Sequence, residues 1–361
     1  MKREFNFEKL FLDVFNPKKG EVVLIMYDVP KQNEIDREWS LRIQMAEEWF
    51  NKLKKMEDKF GIKLYPMIKY NATYSNNALL PDNCFLGDKE IKFDEIFSKV
   101  DIILAMTQFS ATAPLIFATK KFNFRAASMP GVSKSMERTS LAADYKKVAE
   151  RCSIINNKLK DAEAAEVIFN VNGNKLNMFF DLRNRVSEQD DGICWKPKTI
   201  INLPSGETFI VPYEGESKSL GPSKTKGKIP FTKNNELVIF EVNENKIIGI
   251  DGKGKLFQSM TDFFGVDDAR RNLAELGIGC NEWAIVSGSV LEDEKVEGIH
   301  IAYGLSKHLG GITDIDSFKS KENVVHRDMV YPKNGNIKIE SMKIIKKNKQ
   351  ELLIKDGGFI L

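Results

Sequence analysis

Two runs of strand length, residues 21–26 (EVVLIM) and 101–106 (DIILAM), each apolar after its opening acid, constrain this chain more than any other feature. A run apolar at every position suits a strand covered on both faces, and such strands belong to parallel sheets flanked by helices. The spacing supports this. After the first run, Asp28 and Pro30 end the strand, and residues 37–60 read as a long amphipathic helix. Residues 62–67 are again strand-like, residues 110–120 helical, and residues 124–128 (FRAAS) form a short strand stopped by Met129-Pro130-Gly131. Neither GxGxxG nor GxxxxGK[ST] occurs, so no nucleotide-binding fold is indicated.

After a helix at about 141–159 the texture changes. Residues 166–171, 175–181, 207–212, 236–242 and 246–250 run or alternate as strands joined by turns such as Asn172-Gly173-Asn174. Helical interruptions are expected near 256–264 and 267–275, and residues 215–230, rich in Ser, Gly, Pro and Lys, as a mobile loop. The expected fold class is therefore α/β. An N-terminal α/β domain with a parallel sheet spans 1–163, and a β-rich α+β domain spans 164–361.

Composition excludes several classes. Lysine plus arginine exceed aspartate plus glutamate by only 54 to 51, and the signs are interspersed, so a nucleic-acid face is not expected. No run approaches the roughly 18 apolar residues that cross a bilayer. The N-terminus Met1-Lys2-Arg3-Glu4 leads into no apolar leader. Cys84, Cys152, Cys194 and Cys280 form no CxxC pair, which argues against a zinc ribbon and fits a reducing cytoplasm. Cys280 reads as a small packed residue, Asp293 and Glu294 as a solvated helix cap, and the sequon Asn71-Ala72-Thr73 as without consequence in the cytoplasm.

The chemistry is expected near the C-terminus, because all three histidines, His300, His308 and His326, lie there. His326-Arg327-Asp328 is an H-x-D pair, and on a strand residues two apart share a face. His300 interrupts an apolar strand, where an imidazole is costly unless hydrogen-bonded or ligating. Two imidazoles and a carboxylate suit Zn²⁺, Mn²⁺, Co²⁺ or Fe²⁺ alike. A hydrogen-bonded core histidine beside a surface H-x-D is the alternative. Glu207, after the turn Asn202-Leu203-Pro204-Ser205-Gly206, and Glu275, inside an apolar stretch, are carboxylates that need a partner if buried.

Taken together, residues 202–207 (NLPSGE), 274–281 (AELGIGCN), 290–295 (VLEDEK), 300–304 (HIAYG) and 326–328 (HRD) resemble the aminopeptidase T family of thermophilic metalloproteases. Residues 17–24 (PKKGEVVL), 110–114 (SATAP), 129–136 (MPGVSKSM) and 143–148 (ADYKKV) extend the resemblance, which covers about 15–330. It implies a cytoplasmic, metal-dependent aminopeptidase that is a homodimer and releases N-terminal residues from short peptides. The implied metal ligands are Glu207, Glu275, His300, His326 and Asp328, holding two divalent ions (Zn, Co or Mn). Glu275 is the candidate acceptor of the water proton.

One departure stands out. The family's catalytic tyrosine, seven residues after the HIAxG histidine, is replaced by Lys307, followed by His308. Lys307 is the candidate oxyanion stabiliser and His308 a candidate acid or base. Tyr303, at an odd strand offset from His300, should face away. The resemblance extends to 2,5-dihydroxypyridine dioxygenase, a ring-opening Fe²⁺ enzyme of the same superfamily. That alternative needs one Fe(II) on His300, His326 and Asp328, with Glu207 and Glu275 around it. A third reading is a peptide- or partner-binding protein that has kept the fold without turnover.

Overall fold

The computed structural model describes residues 4–30 and 36–361. Its strands and helices form two compact units, and the chain enters each more than once.

The first unit comprises Met1–Glu150, Asp190–Gly206 and Asn281–Lys295. Its sheet is built on the two apolar runs, now strands β1 (Val22–Val29), β2 (Ile68–Asn71), β3 (Ile102–Ala105), β4 (Arg125–Ser128) and β5 (Ile200–Asn202). All five are parallel, in the order β5-β4-β3-β1-β2, and a short antiparallel hairpin, Asn83–Leu86 with Lys89–Lys92, extends the β2 edge. All four residues of β3 and of β4 are buried, as expected for strands covered on both faces. The helix Arg37–Lys54 starts where Asp36 accepts a hydrogen bond from the Trp39 amide (2.8 Å). It buries Trp39, Arg42, Met45, Ala46, Trp49 and Leu53, the helical 3–4 spacing. Pro66 interrupts the strand expected over 62–67, leaving only Lys63–Leu64 before β2.

The second unit comprises Arg151–Gln189, Glu207–Cys280 and Val296–Leu361. An eight-stranded antiparallel sheet contributes the β-rich texture seen in the sequence. A second sheet contains β6 (Glu207–Ile210), β7 (Leu273–Gly279), β8 (Gly298–Gly304) and β9 (His326–Pro332), antiparallel and adjacent in that order. Every residue of β7 and β8 is buried.

Three local expectations change. A single boundary at 163 does not describe these units, because residues 190–206 and 281–295 return to the first. The segment 267–275 is not a helix. One 3-10 turn, Asp268–Arg271, precedes β7, and pairing on both edges overrides the helical preference of Ala274 and Glu275. Residues 226–230 of the expected mobile loop belong to the strand Lys226–Lys233, and Tyr213 Oη donates to the Ser217 and Gly221 carbonyls (both 3.0 Å) within the remainder. Asp293 and Glu294 are half-buried, Asp293 accepting from the Ser287 and Gly288 amides, while the residues flanking them are enclosed. Glu292 is buried and accepts from Ser140 Oγ (2.8 Å), and Lys295 is fully buried with Asp190 at 3.6 Å. Cys280 is packed, its Sγ lying 3.1 Å from that of Cys152. Among the described residues, no helix is long and apolar enough to cross a membrane.

Candidate metal centre

Strand register decides which side chains meet. Glu275 lies opposite Ala302, which lies opposite Asp328. Gly277 is opposite His300, Gly304 opposite His326, and Glu207 opposite Gly279. Side chains opposite one another in a ladder share a face, so Glu207, Glu275, His300, His326 and Asp328 all rise from one side of this sheet. The positions between them are Gly277, Gly279, Ala302 and Gly304, so the face carries ligating groups over small residues. The other face carries Leu276, Ile278, Ile299, Ile301, Tyr303, Met329 and Tyr331, all buried. Tyr303 packs there against Phe263 and Phe264 (ring centroids at 5.8 and 5.1 Å). A register shift between Leu273 and Glu275 aligns Glu275 with Ala302, the kind of bulge that re-aims a functional side chain.

The five groups form two overlapping triads, Glu207–Glu275–His300 and Glu275–His326–Asp328, with ligand atoms inside each within 4.8 Å of one another. Glu275 belongs to both. Its Oε1 is 3.2 Å from His300 Nε2 and its Oε2 is 3.1 Å from His326 Nε2. Glu207 Oε2 lies 3.4 Å from His300 Nε2, and Asp328 Oδ1 4.0 Å from His326 Nε2. Each ligand site thus has one imidazole, one private carboxylate and one shared carboxylate oxygen. Both carboxylate oxygens of Glu275 thus face imidazoles.

Three features fit a cation. Asp328 Oδ1 is buried and accepts no hydrogen bond, an acceptor left for something else. Three carboxylates against two imidazoles leave net negative charge inside the protein even with both rings protonated. His326 Nδ1 donates to the Leu305 carbonyl (2.7 Å), which leaves Nε2 as the lone-pair nitrogen facing Glu275 and Asp328. Nitrogen and oxygen donors of this kind suit a divalent transition ion.

Gly277 is a functional residue that the sequence reading passed over. A Cβ built on it would lie 1.9 Å from His300 Nε2 and 2.2 Å from its Cε1, so only glycine leaves the ring its place. The Gly277-Ile278-Gly279 alternation opposite a histidine strand was the available signal.

Electrostatics follow from enclosure. Burial alone would lower the imidazole values, but Glu275 outweighs it and raises His300 to about 9 and His326 to about 10. Burial disfavours the charged form of Glu275, yet hydrogen bonds from both rings hold it well below the usual carboxylate range. Metal-free protein at neutral pH therefore carries two protons that a cation must displace. Zinc binding at pH 7.5 is expected to release about two protons, with affinity rising as pH climbs towards 10. Calorimetry in buffers of different ionisation enthalpy reads this number directly, and a value near zero would contradict it.

The turn Lys307–Leu309 brings the two remaining candidates, both exposed residues. Although the residue is exposed, the His308 ring packs edge-on against His326 (4.9 Å), and water displaced on that side together with the His326 charge lowers it below the ordinary imidazole value.

No family model matches this sequence, and no curated protein does. Solved structures share its fold. The structure of 2,5-dihydroxypyridine dioxygenase from Pseudomonas putida KT2440 superposes with TM-score 0.65 and 14% identity, covering 98% of this chain and 96% of that one. Wild-type AmpT from Thermus thermophilus superposes with TM-score 0.55 and 12% identity, covering 98% of each chain. The chain has, over nearly its whole length, the fold common to an AmpT and a 2,5-dihydroxypyridine dioxygenase.

Proposed function

We propose that this protein is a metal-dependent aminopeptidase of short peptides that holds two divalent ions. The observation that carries the reading is Glu275, with one carboxylate oxygen towards each histidine. Ligands of one zinc-like ion, bound at about 2.0–2.2 Å, lie at most roughly 4.4 Å apart. Glu207–Glu275–His300 and Glu275–His326–Asp328 approach that spacing, whereas His300, His326 and Asp328 do not form such a group. The spacing favours two ions over a single ion held by both histidines.

A pair of divalent ions would supply a water of lowered pKa and a clamp for the scissile carbonyl. Glu207, Glu275, His300, His326 and Asp328 would hold them, Glu275 being common to both triads. We assign His308, kept neutral beside His326, to accept the water proton and return it to the leaving amine. Lys307, on the same turn, would offset charge developing on the carbonyl oxygen, the part played by tyrosine in the resembling family. His308→Ala is expected to lower kcat about 10²-fold or more, and Lys307→Ala also to lower kcat, both with unchanged metal content.

The runner-up is an Fe(II) dioxygenase on His300, His326 and Asp328, favoured by the replacement of the tyrosine with Lys307. Metal-replete protein assayed on di- and tripeptides with free and acetylated N-termini separates the readings. Release of N-terminal residues only from free termini supports the aminopeptidase. No release, with oxygen uptake on dihydroxypyridines, supports the dioxygenase instead.

A further inference from the structure

Glu214 lies outside the ligand set and outside every motif of the sequence reading, yet it is among the most heavily bonded carboxylates in the second unit. Its side chain is 3% exposed. Oε1 accepts from Asn272 Nδ2 (2.6 Å), Ser306 Oγ (2.7 Å) and Thr313 Oγ1 (3.0 Å), and Oε2 accepts from the Ile312 amide (2.5 Å). Arg185 Nη2 stands 3.6 Å from Oε2, a neighbouring charge too distant to donate a hydrogen bond to it.

These donors sit at points that govern the centre. Asn272 immediately precedes β7 and also donates to the Gly304 carbonyl (3.1 Å), at the end of β8. Ser306 follows Leu305, whose carbonyl receives His326 Nδ1. Ile312 and Thr313 close the loop 305–313. The Ser306 and Lys307 amides both donate to the Thr313 carbonyl (3.1 Å each), and the Thr313 amide donates to Ser306 Oγ (3.2 Å). Gly311 leaves room for this closure, since a Cβ there would lie 2.2 Å from Ser306 Oγ and 2.8 Å from Glu214 Oε2.

We propose that Glu214 is a positioning residue for the His326 half of the metal centre, holding loop 305–313 so that the Leu305 carbonyl fixes the His326 ring. This rests on the reading of the cluster as a metal centre. A carbonyl that orients a ligating imidazole contributes to metal affinity without touching the metal. The Glu207–Glu275–His300 triad receives no such support from the loop, so loss of Glu214 acts selectively. The same loop carries Lys307 and His308, which Glu214 therefore also places.

Cobalt(II) titration of metal-free protein, followed by calorimetry and visible absorption, tests this. Wild type is expected to take up two ions. Glu214→Ala should keep one at wild-type affinity and weaken the other by about 10–100-fold. Glu214→Gln should weaken it less, because its Oε1 still accepts from three donors while its amide group meets the Ile312 N–H. Ser306→Ala, which deletes only the hydroxyl between Glu214 and the loop, should show the same selectivity and serves if Glu214→Ala does not fold. Two ions bound as in wild type by Glu214→Gln and Ser306→Ala would overturn the proposal. Equal weakening of both ions would also overturn it, because that marks a general structural role. Wild type that takes no cobalt fails before any variant is measured, and it is the metal-centre reading that then falls.

Discussion

Glu275→Ala is expected to abolish turnover, by about 10³-fold or more, and to leave at most one weakly held metal ion. Both triads lose a member at once, since Glu275 is the only group common to them. A metal pair contributes several kcal/mol of transition-state stabilisation, and about 4 kcal/mol corresponds to roughly 10³ in rate. The metal-free variant is affected too. Glu275 is the strongest group raising His300 and His326, with Glu207, Asp328 and the Leu305 carbonyl adding to it, so without Glu275 both values fall. The sign follows from linkage. In the parent, the raised histidine values stabilise the metal-free fold fully below about pH 6.5, and this is lost as pH rises through about 9 to 10. The variant should show a smaller alkaline loss, which thermal unfolding of chelated protein at several pH values would measure. Parent-like metal content and turnover in Glu275→Ala would contradict the site as described.

Gly277→Ala is the second large effect, and a steric one. The added methyl would occupy the place of the His300 ring, with 1.9 Å to Nε2 and 2.5 Å to Cδ2. The ring sits on a fully buried strand opposite Gly277 and has little room to retreat. Overpacking of a buried site costs about 1–3 kcal/mol, and the displaced Nε2 no longer faces Glu207 and Glu275. The expected result is a folded protein of lower Tm that has lost the ion of the Glu207–Glu275–His300 triad. Elemental analysis of the purified variant against the parent checks it, and undiminished metal content would contradict it.

The sequence and the structure meet most closely where periodicity is strong. The runs 21–26 and 101–106 are buried on both faces, and that pattern alone points to a parallel sheet. The five side chains of the cluster were singled out by histidine clustering, by costly carboxylates and by family resemblance, and strand register shows why they converge. Glu275 is the instructive exception. Its neighbours Ala274 and Leu276 favour helix, so local preference hid the strand that places it. Leu305 and Glu214 were not legible, and Gly277 showed only an alternation with Gly279 that does not name its partner, for a different reason. Each acts through a partner distant in sequence, across a ladder, a loop or a buried hydrogen-bond network, and no local pattern records such pairings. The interleaving of the two units was hidden likewise, because residues 190–206 and 281–295 return to the first unit through tertiary packing alone.

The central claim is that the cluster holds two ions bridged by Glu275. Anomalous diffraction from crystals of zinc- or manganese-loaded protein, with metal content measured on the same sample, tests it most directly. The account predicts two peaks about 3.5–4 Å apart, one beside His300 and Glu207 and one beside His326 and Asp328, with Glu275 between them. A single peak shared by His300, His326 and Asp328, with one equivalent of metal per chain, would contradict it.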